Sequence, residues 1–225
     1  MSIVQRAIRL PYNFILRYAS PSIKRFFWDR EFASGKWNFI DDTAGDSSYP
    51  YLEKYCDGGS ILDLGCGPGN TANELAASAY CEYVGVDVSQ VALEKARQRT
   101  ERTRRSDKNR FVSGDMLTFV PSRQFDVILL RESVYHVAMG ELKKMFDRYS
   151  QYLTENGAFI VKLVTDNRYT SKARVRIIES EFEILEKGEH ARDGSTVLVF
   201  RTTRARKNTK PVAGHEDAVP SDLGS

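Results

Sequence analysis

From residue 60 onward the chain alternates two patterns. Short apolar runs, strand-like in length, give way to stretches in which apolar residues recur every three or four positions. Strands are expected at 60–65, 82–87, 110–113, 125–130 and 158–164, with helices across 70–79, 90–105, 139–153 and 171–180. Ser89 suits the N-cap of the second of these helices, and Gly157 a helix stop after Thr154-Glu155-Asn156. Two last strands, near 182–187 and 196–202, flank Asp193-Gly194, a hairpin signal. The run Phe-Asp-Val-Ile-Leu-Leu (125–130) is continuously apolar but for Asp126, as expected of a strand covered on both faces. Strands alternating with helices predict an α/β fold with a mostly parallel sheet, and the terminal hairpin adds an antiparallel strand.

Upstream the pattern differs. Residues 1–30 interleave Arg6, Arg9, Arg17, Lys24, Arg25 and Arg30 with aliphatic and aromatic residues, against the single acid Asp29. They read as one or two short amphipathic helices broken near Pro11 and Pro21, followed by a loop over 31–50. Residues 1–49 are thus an aromatic, helical lid segment, 50–202 the principal domain, and 203–225 a tail without aromatic residues, expected to be disordered.

Composition changes this picture little. The 225 residues carry 33 Lys and Arg against 30 acids, a formal charge of +3, which by itself calls for no polyanionic partner. Cys56, Cys66 and Cys81 are widely spaced, which argues against a zinc module or a disulfide framework, so no metal is expected. No apolar run approaches the roughly 20 residues of a membrane-spanning helix, and Arg6, Arg9, Pro11 and Asn13 interrupt any signal-peptide core. A cytoplasmic location is the default expectation.

The chemistry concentrates in Ile-Leu-Asp-Leu-Gly-Cys-Gly-Pro-Gly-Asn-Thr (61–71), a strand running into Gly65, Gly67 and Gly69 with a helix directly after. Such a turn lets a ligand approach the backbone, and the helix start offers unpaired N–H groups. Asp87 ends the next strand, where an acid can accept from ribose hydroxyls. Asp115 follows the third strand, with Met116 able to cover a flat base. A dinucleotide fingerprint would place Gly or Ala where Asn70 stands.

The motifs Leu-Asp-Leu-Gly-Cys-Gly-Pro-Gly (62–69), Val-Gly-Val-Asp (84–87), Ser-Gly-Asp (113–115), Phe-Asp-Val-Ile-Leu (125–129) and Leu-Thr-Glu-Asn-Gly-Ala-Phe-Ile (153–160) together resemble the class I S-adenosylmethionine-dependent methyltransferase family over residues 58–202. The resemblance implies a Rossmann-like sheet of seven strands with helices on both faces and the last strand antiparallel. It implies S-adenosyl-L-methionine as cofactor. Asp63, Gly65, Cys66 and Gly67 would lie at its methionine end, Asp87 and Val88 at the ribose, Asp115 and Met116 at the adenine, with Arg131 nearby. Cys66 reads as a small filler of the loop, and Asp126 as structural.

The fourth strand delivers Arg-Glu-Ser-Val-Tyr-His-Val (131–137) to the reaction end. His136 is the candidate general base, because an ordinary imidazole titrates near neutrality; packing or capping the next helix is its alternative role. Glu132 is the candidate to orient an acceptor hydroxyl or amine. Tyr135 and Trp37 are candidates to line the acceptor pocket, with Trp28, Phe32, Phe39 and Tyr49 as further lid aromatics or ordinary core. Arg131 could pair with an anionic acceptor or with an acid such as Asp63. His190 and His215 should not reach the site.

The expected reaction is methylation of a small-molecule oxygen or nitrogen acceptor, such as a sugar or secondary metabolite, without a nucleic-acid partner. An RNA or protein substrate is the alternative, weakened by Arg-Glu-Ser-Val (131–134), where an Asn-Pro-Pro-Tyr type of tetrapeptide would stand. The basic, aromatic N-terminus also allows contact with an anionic membrane surface, or with a lipid-linked acceptor.

Overall fold

The computed structural model describes residues 18–37, 43–164 and 169–202. Helix α1 (Pro21–Ala33) and helix α2 (Tyr49–Cys56) precede the sheet. Strand β1 (Ser60–Leu64) leads into α3 (Asn70–Glu74), β2 (Glu82–Asp87), α4 (Gln90–Arg102), β3 (Asn109–Ser113) and β4 (Phe125–Arg131). Then follow α5 (Leu142–Ser150), β5 (Leu153–Val164), α6 (Tyr169–Glu181), β6 (Glu183–His190) and β7 (Ser195–Arg201).

Seven strands form one sheet in the order β3-β2-β1-β4-β5-β7-β6. All neighbouring pairs are parallel except those made by β7, which runs against both β5 and β6. This is the expected Rossmann-like sheet. The chain order reverses between β1 and β4, so a crevice opens at their carboxyl ends.

The strand alternation explains the two cores. Leu62, Leu64, Ile128, Leu130, Phe159, Val161, Leu198 and Phe200 face α5 and α6. Ile61, Val127, Leu129, Ile160, Val197 and Val199 face the opposite way, onto Tyr49 and Leu52 of α2 and Ala72 of α3. Both faces are covered, which is why β4 shows no polar alternation at its centre. Phe146, Phe159 and Phe200 meet with ring centroids 4.9–5.3 Å apart.

Several boundaries differ from expectation, each for a local reason. Pro21 opens α1 after the N-cap residue Ser20 rather than only breaking a helix, and α1 runs on to Ala33, into the expected loop. Tyr49 and Pro50 likewise begin α2. The helix expected over 70–79 stops at Glu74: Arg105 donates to the carbonyls of Ala72 and Leu75, and Tyr80 and Asn109 also donate to Ala72. Ser89 caps α4 as expected, accepting from the Ala92 N–H at 3.1 Å.

Gly157 does not end a helix. Helix α5 closes at Ser150, and Leu153 already pairs with Phe125, so residues 154–157 are an irregularity within β5 before Ala158 pairs with Val127. The tail from 203 lies outside the described residues.

Arg174 on α6 is wholly buried, and it ties the turn after β4 to the fold. Its guanidinium donates to the carbonyls of Val134 at 3.2 Å, Tyr135 at 3.1 Å and Val137 at 2.8 Å. Arg174→Leu strands these three acceptors, and urea unfolding should show a loss of about 2–4 kcal/mol. A loss below about 0.5 kcal/mol, the scatter of ordinary surface changes, contradicts this role.

Candidate functional site

The floor of the crevice is the turn after β1. The N–H groups of Gly65 and Cys66 both donate to the carbonyl of Val86, and the Gly67 N–H donates to Asp87 Oδ2 at 2.9 Å. Gly65 has φ +87°, and a Cβ there would sit 2.5 Å from Ser133 Cβ. Ser133 in turn donates its hydroxyl to Leu64 O at 2.6 Å, clamping the end of β4 onto the turn. Gly67 has φ +54° but the opposite surroundings: the nearest atom to a Cβ there would be Phe32 Cζ, 3.9 Å away. Packing thus excludes a side chain at Gly65, while a Cβ at Gly67 would meet only the Phe32 ring, at ordinary contact distance. Cys66 packs its sulfur toward Gly85, and burial pushes its thiol far up, so it fills space as expected.

Asp63 lies beneath this turn with almost no exposure. Its Oδ2 accepts from the Tyr83 hydroxyl at 2.5 Å, whereas its Oδ1 is buried with no hydrogen-bond partner. Thr71 Oγ1, at the start of α3, is orphaned as well. Burial raises the Asp63 carboxyl to about 6, against the pull of Tyr83, Arg131 and the nearby Thr71 hydroxyl, whose contact with Asp63 is too long to count as a full hydrogen bond. A buried carboxylate oxygen without a donor is a vacancy for a cation or a hydrogen-bond donor.

Asp87 sits at the tip of β2, its two oxygens accepting from the N–H groups of Gly67 and Ser89. Burial nonetheless raises its carboxyl. Each oxygen keeps a second lone pair for a hydroxyl donor. Val88, half-buried, starts the turn into α4, and Met116 reaches back to within 3.2 Å of the Cβ position of Gly65. Asp115 is already engaged: Oδ1 accepts from the Leu117 N–H at 2.9 Å and Oδ2 from Lys24 Nζ at 2.6 Å.

Lys24 belongs to α1, which packs over the tips of β2 and β3 and the start of α4. Asp29 Oδ1 accepts from Ser89 Oγ at 2.7 Å and the Val91 N–H at 3.1 Å, and Lys95 donates to Phe32 O at 3.1 Å. Trp28 sets its ring edge-on to His136 at 5.2 Å. Trp37 stacks obliquely on Trp28 at 5.5 Å and on Phe32 at 6.4 Å, so it stands in the aromatic cluster one ring removed from His136. Tyr49 does not join this cluster. It heads α2, is buried in the second core, and donates its hydroxyl to Glu74. Phe39 lies outside the described residues.

At the end of β4, Arg131 pairs with Asp46 at 3.1 Å rather than with Asp63. Lys162 joins from β5, 2.7 Å from Asp46 and 3.1 Å from Asp193. Burial opposes charge on Asp46, yet Arg131, Lys162 and Ser48 together hold its carboxyl below the usual range. Glu132 has φ +57°, an uncommon conformation for a side-chain-bearing residue and one that concentrates at functional sites. Its Oε2 accepts from the Tyr135 hydroxyl at 2.8 Å, while Oε1 is buried without a partner, and burial raises the carboxyl. Tyr135 also donates to Val164 O at 3.2 Å, so its hydroxyl is turned toward β5 and Glu132. His136 is half-buried in the short turn Val134–His136. Asp126 binds the Ser60 N–H and hydroxyl and Thr154, a structural duty as expected. His190 is bonded to Tyr51, at the far end of β6. His215 lies outside the described residues.

Lys24, Asp29, Tyr83 and Ser133 are the functional-site residues that sequence reasoning missed. Only the i, i+4, i+8 spacing of Lys24, Trp28 and Phe32 on α1 signalled an inward face. The arrangement suits a nucleoside with a cationic end: bare backbone at Gly67, an orphaned oxygen at Asp63, acids at the next two strand tips. Room at Asp115 for an exocyclic amine requires Lys24 to share or release that carboxylate.

A family model for a methyltransferase domain matches residues 61–157. Sterol 24-C-methyltransferase ERG6 of Saccharomyces cerevisiae is 28% identical over 169 residues, 74% of this chain and 41% of that protein. The sarcosine/dimethylglycine N-methyltransferase of Aphanothece halophytica is 27% identical over 144 residues, 59% of this chain and 51% of that protein. The chain therefore spans only about half or less of the length of these relatives. Among solved structures, the N-methyltransferase NodS of Bradyrhizobium japonicum WM9 in complex with S-adenosyl-L-homocysteine superposes with a TM-score of 0.62. It is 20% identical and covers 80% of this chain and 98% of its own; that likeness speaks for the fold.

Between pH 3.8 and about 6 the folded chain holds an Asp63 proton that the unfolded chain has lost. Folding stability from this group therefore falls as pH rises through that window, by about 2–3 kcal/mol. Asp63→Asn should flatten that slope in urea unfolding curves taken from pH 4 to 7. An unchanged slope in the variant contradicts the assignment.

Proposed function

We propose that this chain is a class I S-adenosylmethionine-dependent methyltransferase, a reading supported by the methyltransferase-domain model and the fold, and that it transfers the cofactor's methyl group to an oxygen or nitrogen of a small-molecule acceptor. One observation carries the reading. Two buried carboxylate oxygens lack partners, Asp63 Oδ1 under the glycine turn and Glu132 Oε1 at the end of β4, on the two strands that flank the switch point. The first suits the ammonium of the cofactor's methionine moiety. The second suits an N–H or O–H of an acceptor.

The bound cofactor supplies a methyl group on a sulfonium, so the acceptor atom forms its new bond as the carbon–sulfur bond breaks, and a proton must leave the acceptor. What remains for the protein is alignment, water exclusion and that proton. Asp87 would accept from the ribose hydroxyls through its remaining lone pairs. Met116 would cover the base, and Asp115 would accept the adenine amine if Lys24 shared or released that carboxylate. Val88 and the backbone from Gly65 to Gly67 shape the cradle. Arg131 acts at a distance, because Asp46 holds it while its charge favours ionised Asp63.

Glu132 orients the acceptor, and Tyr135 fixes the Glu132 carboxylate from behind. His136 takes the proton. Trp28, with Trp37 behind it, walls the acceptor side and keeps water out. Relatives named for a sterol and for sarcosine and dimethylglycine support an acceptor of small-molecule class.

The test incubates purified protein with methyl-labelled cofactor and panels of sugars, phenols, amines and lipids. Label should pass to an oxygen or nitrogen of one panel. His136→Ala should lower kcat by about 10²-fold or more, as loss of a general base does, and remove the acid limb of the pH profile. Label appearing only on RNA or protein overturns the small-molecule reading. Unchanged turnover of His136→Ala from pH 6 to 9 overturns the base.

A further inference from the structure

Helix α1 has two faces of opposite character. Lys24, Trp28 and Phe32 turn inward, and three polar ties fix that orientation: Lys24 to Asp115, Asp29 to Ser89, and Lys95 to Phe32 O. With the helix so fixed, Ile23 and Phe26 project to solvent, 52% and 71% exposed. These polar ties, one buried and two partly buried, hold the helix in this register, so the apolar side chains cannot roll inward to escape water.

Such exposure is concentrated here. Of the five large apolar side chains exposed among the described residues, Tyr18, Ile23 and Phe26 fall within nine residues of chain. A fourth, Val112, neighbours Ser113, which Arg25 contacts at 3.3 Å. Arg25 and Arg30, both exposed, border the patch. The residues leading into it, 1–17, carry Arg6, Arg9 and Arg17, no acid, and Ile3, Val4, Ile8, Leu10, Phe14, Ile15 and Leu16. Up to residue 30 that makes six cations against one acid, although the whole chain is nearly balanced at +3.

We infer that the outer face of α1 docks on an anionic lipid surface. Apolar side chains that enter the headgroup boundary, flanked by cations that attract acidic headgroups, are the two terms of interfacial binding. A second copy of this chain fits less well, since two such faces would bring their cations together. The helix that packs over the tips of β2 and β3 would then also be the membrane-facing element.

The test is flotation of the full chain with vesicles of phosphatidylcholine alone and of phosphatidylcholine mixed with phosphatidylserine. Binding should require phosphatidylserine and weaken as salt is raised. Ile23→Asp combined with Phe26→Asp should lower the bound fraction about tenfold, as loss of apolar insertion plus added like charge predicts. Affinity for S-adenosyl-L-homocysteine should stay at the wild-type value, because the inner face is untouched. If that double variant does not fold, Phe26→Ser serves in its place. Absent flotation, equal binding to phosphatidylcholine alone, or an unaffected variant overturns the inference. So does light scattering that shows a wild-type dimer reduced to monomer by the same substitutions, which assigns the face to a second copy.

Discussion

A carboxylate without a donor, buried under a turn that presents bare backbone, is the constraint from which the rest of this site follows. Asp63 could ionise cheaply at the surface. Placed at the carboxyl end of β1, between β2 and β4 and under Gly65–Gly67, it is held by a short hydrogen bond from Tyr83 on one oxygen, while the other makes no close hydrogen bond and feels only the pull of the nearby Thr71 hydroxyl. Leaving such an atom unpaired costs about 1–3 kcal/mol, and a cationic ligand group removes that cost. The sheet order explains why this happens at one place, since only the β1/β4 reversal opens a crevice at the strand ends.

The second determinant is helix α1. Helix α1 is not part of the sheet's own logic, and it is attached by ion pairs and hydrogen bonds to the ligand-facing acids and the helix start beside them. Lys24 satisfies Asp115 in the way an amine of a bound base would. The carboxylate that a bound base would use is thus the one that ties α1 to the sheet. The same attachment brings Trp28 to His136 and leaves Phe26 outside.

How much of this could be read from the sequence depends on the range of the interactions. Strand β2 begins and ends where the apolar run 82–87 does, and the glycine turn, Asp87 and Asp115 stand where their local motifs put them. Residues 154–157 were misleading because Asn-Gly looks the same at a helix end and in an irregular strand, and only the pairing of Leu153 with Phe125 decides. Pro21 reads as a breaker but serves as a helix start, and Pro50, at the end of the expected loop 31–50, lies in the first turn of α2. The pairs Tyr83–Asp63, Ser133–Leu64, Lys24–Asp115 and Arg131–Asp46 join segments 20 to 91 residues apart, and no local pattern encodes them.

The central claim is that the bare backbone at Gly67, above Asp63, receives the amino-acid end of a sulfonium nucleoside. Isothermal titration of S-adenosyl-L-homocysteine into the wild-type chain and into Gly67→Leu measures this directly, with circular dichroism to confirm that both are folded. The account predicts saturable one-to-one binding by the wild type and loss of affinity by about 10²-fold or more in the variant, as a side chain filling a ligand's place produces. A folded Gly67→Leu chain that binds as tightly as the wild type would contradict it.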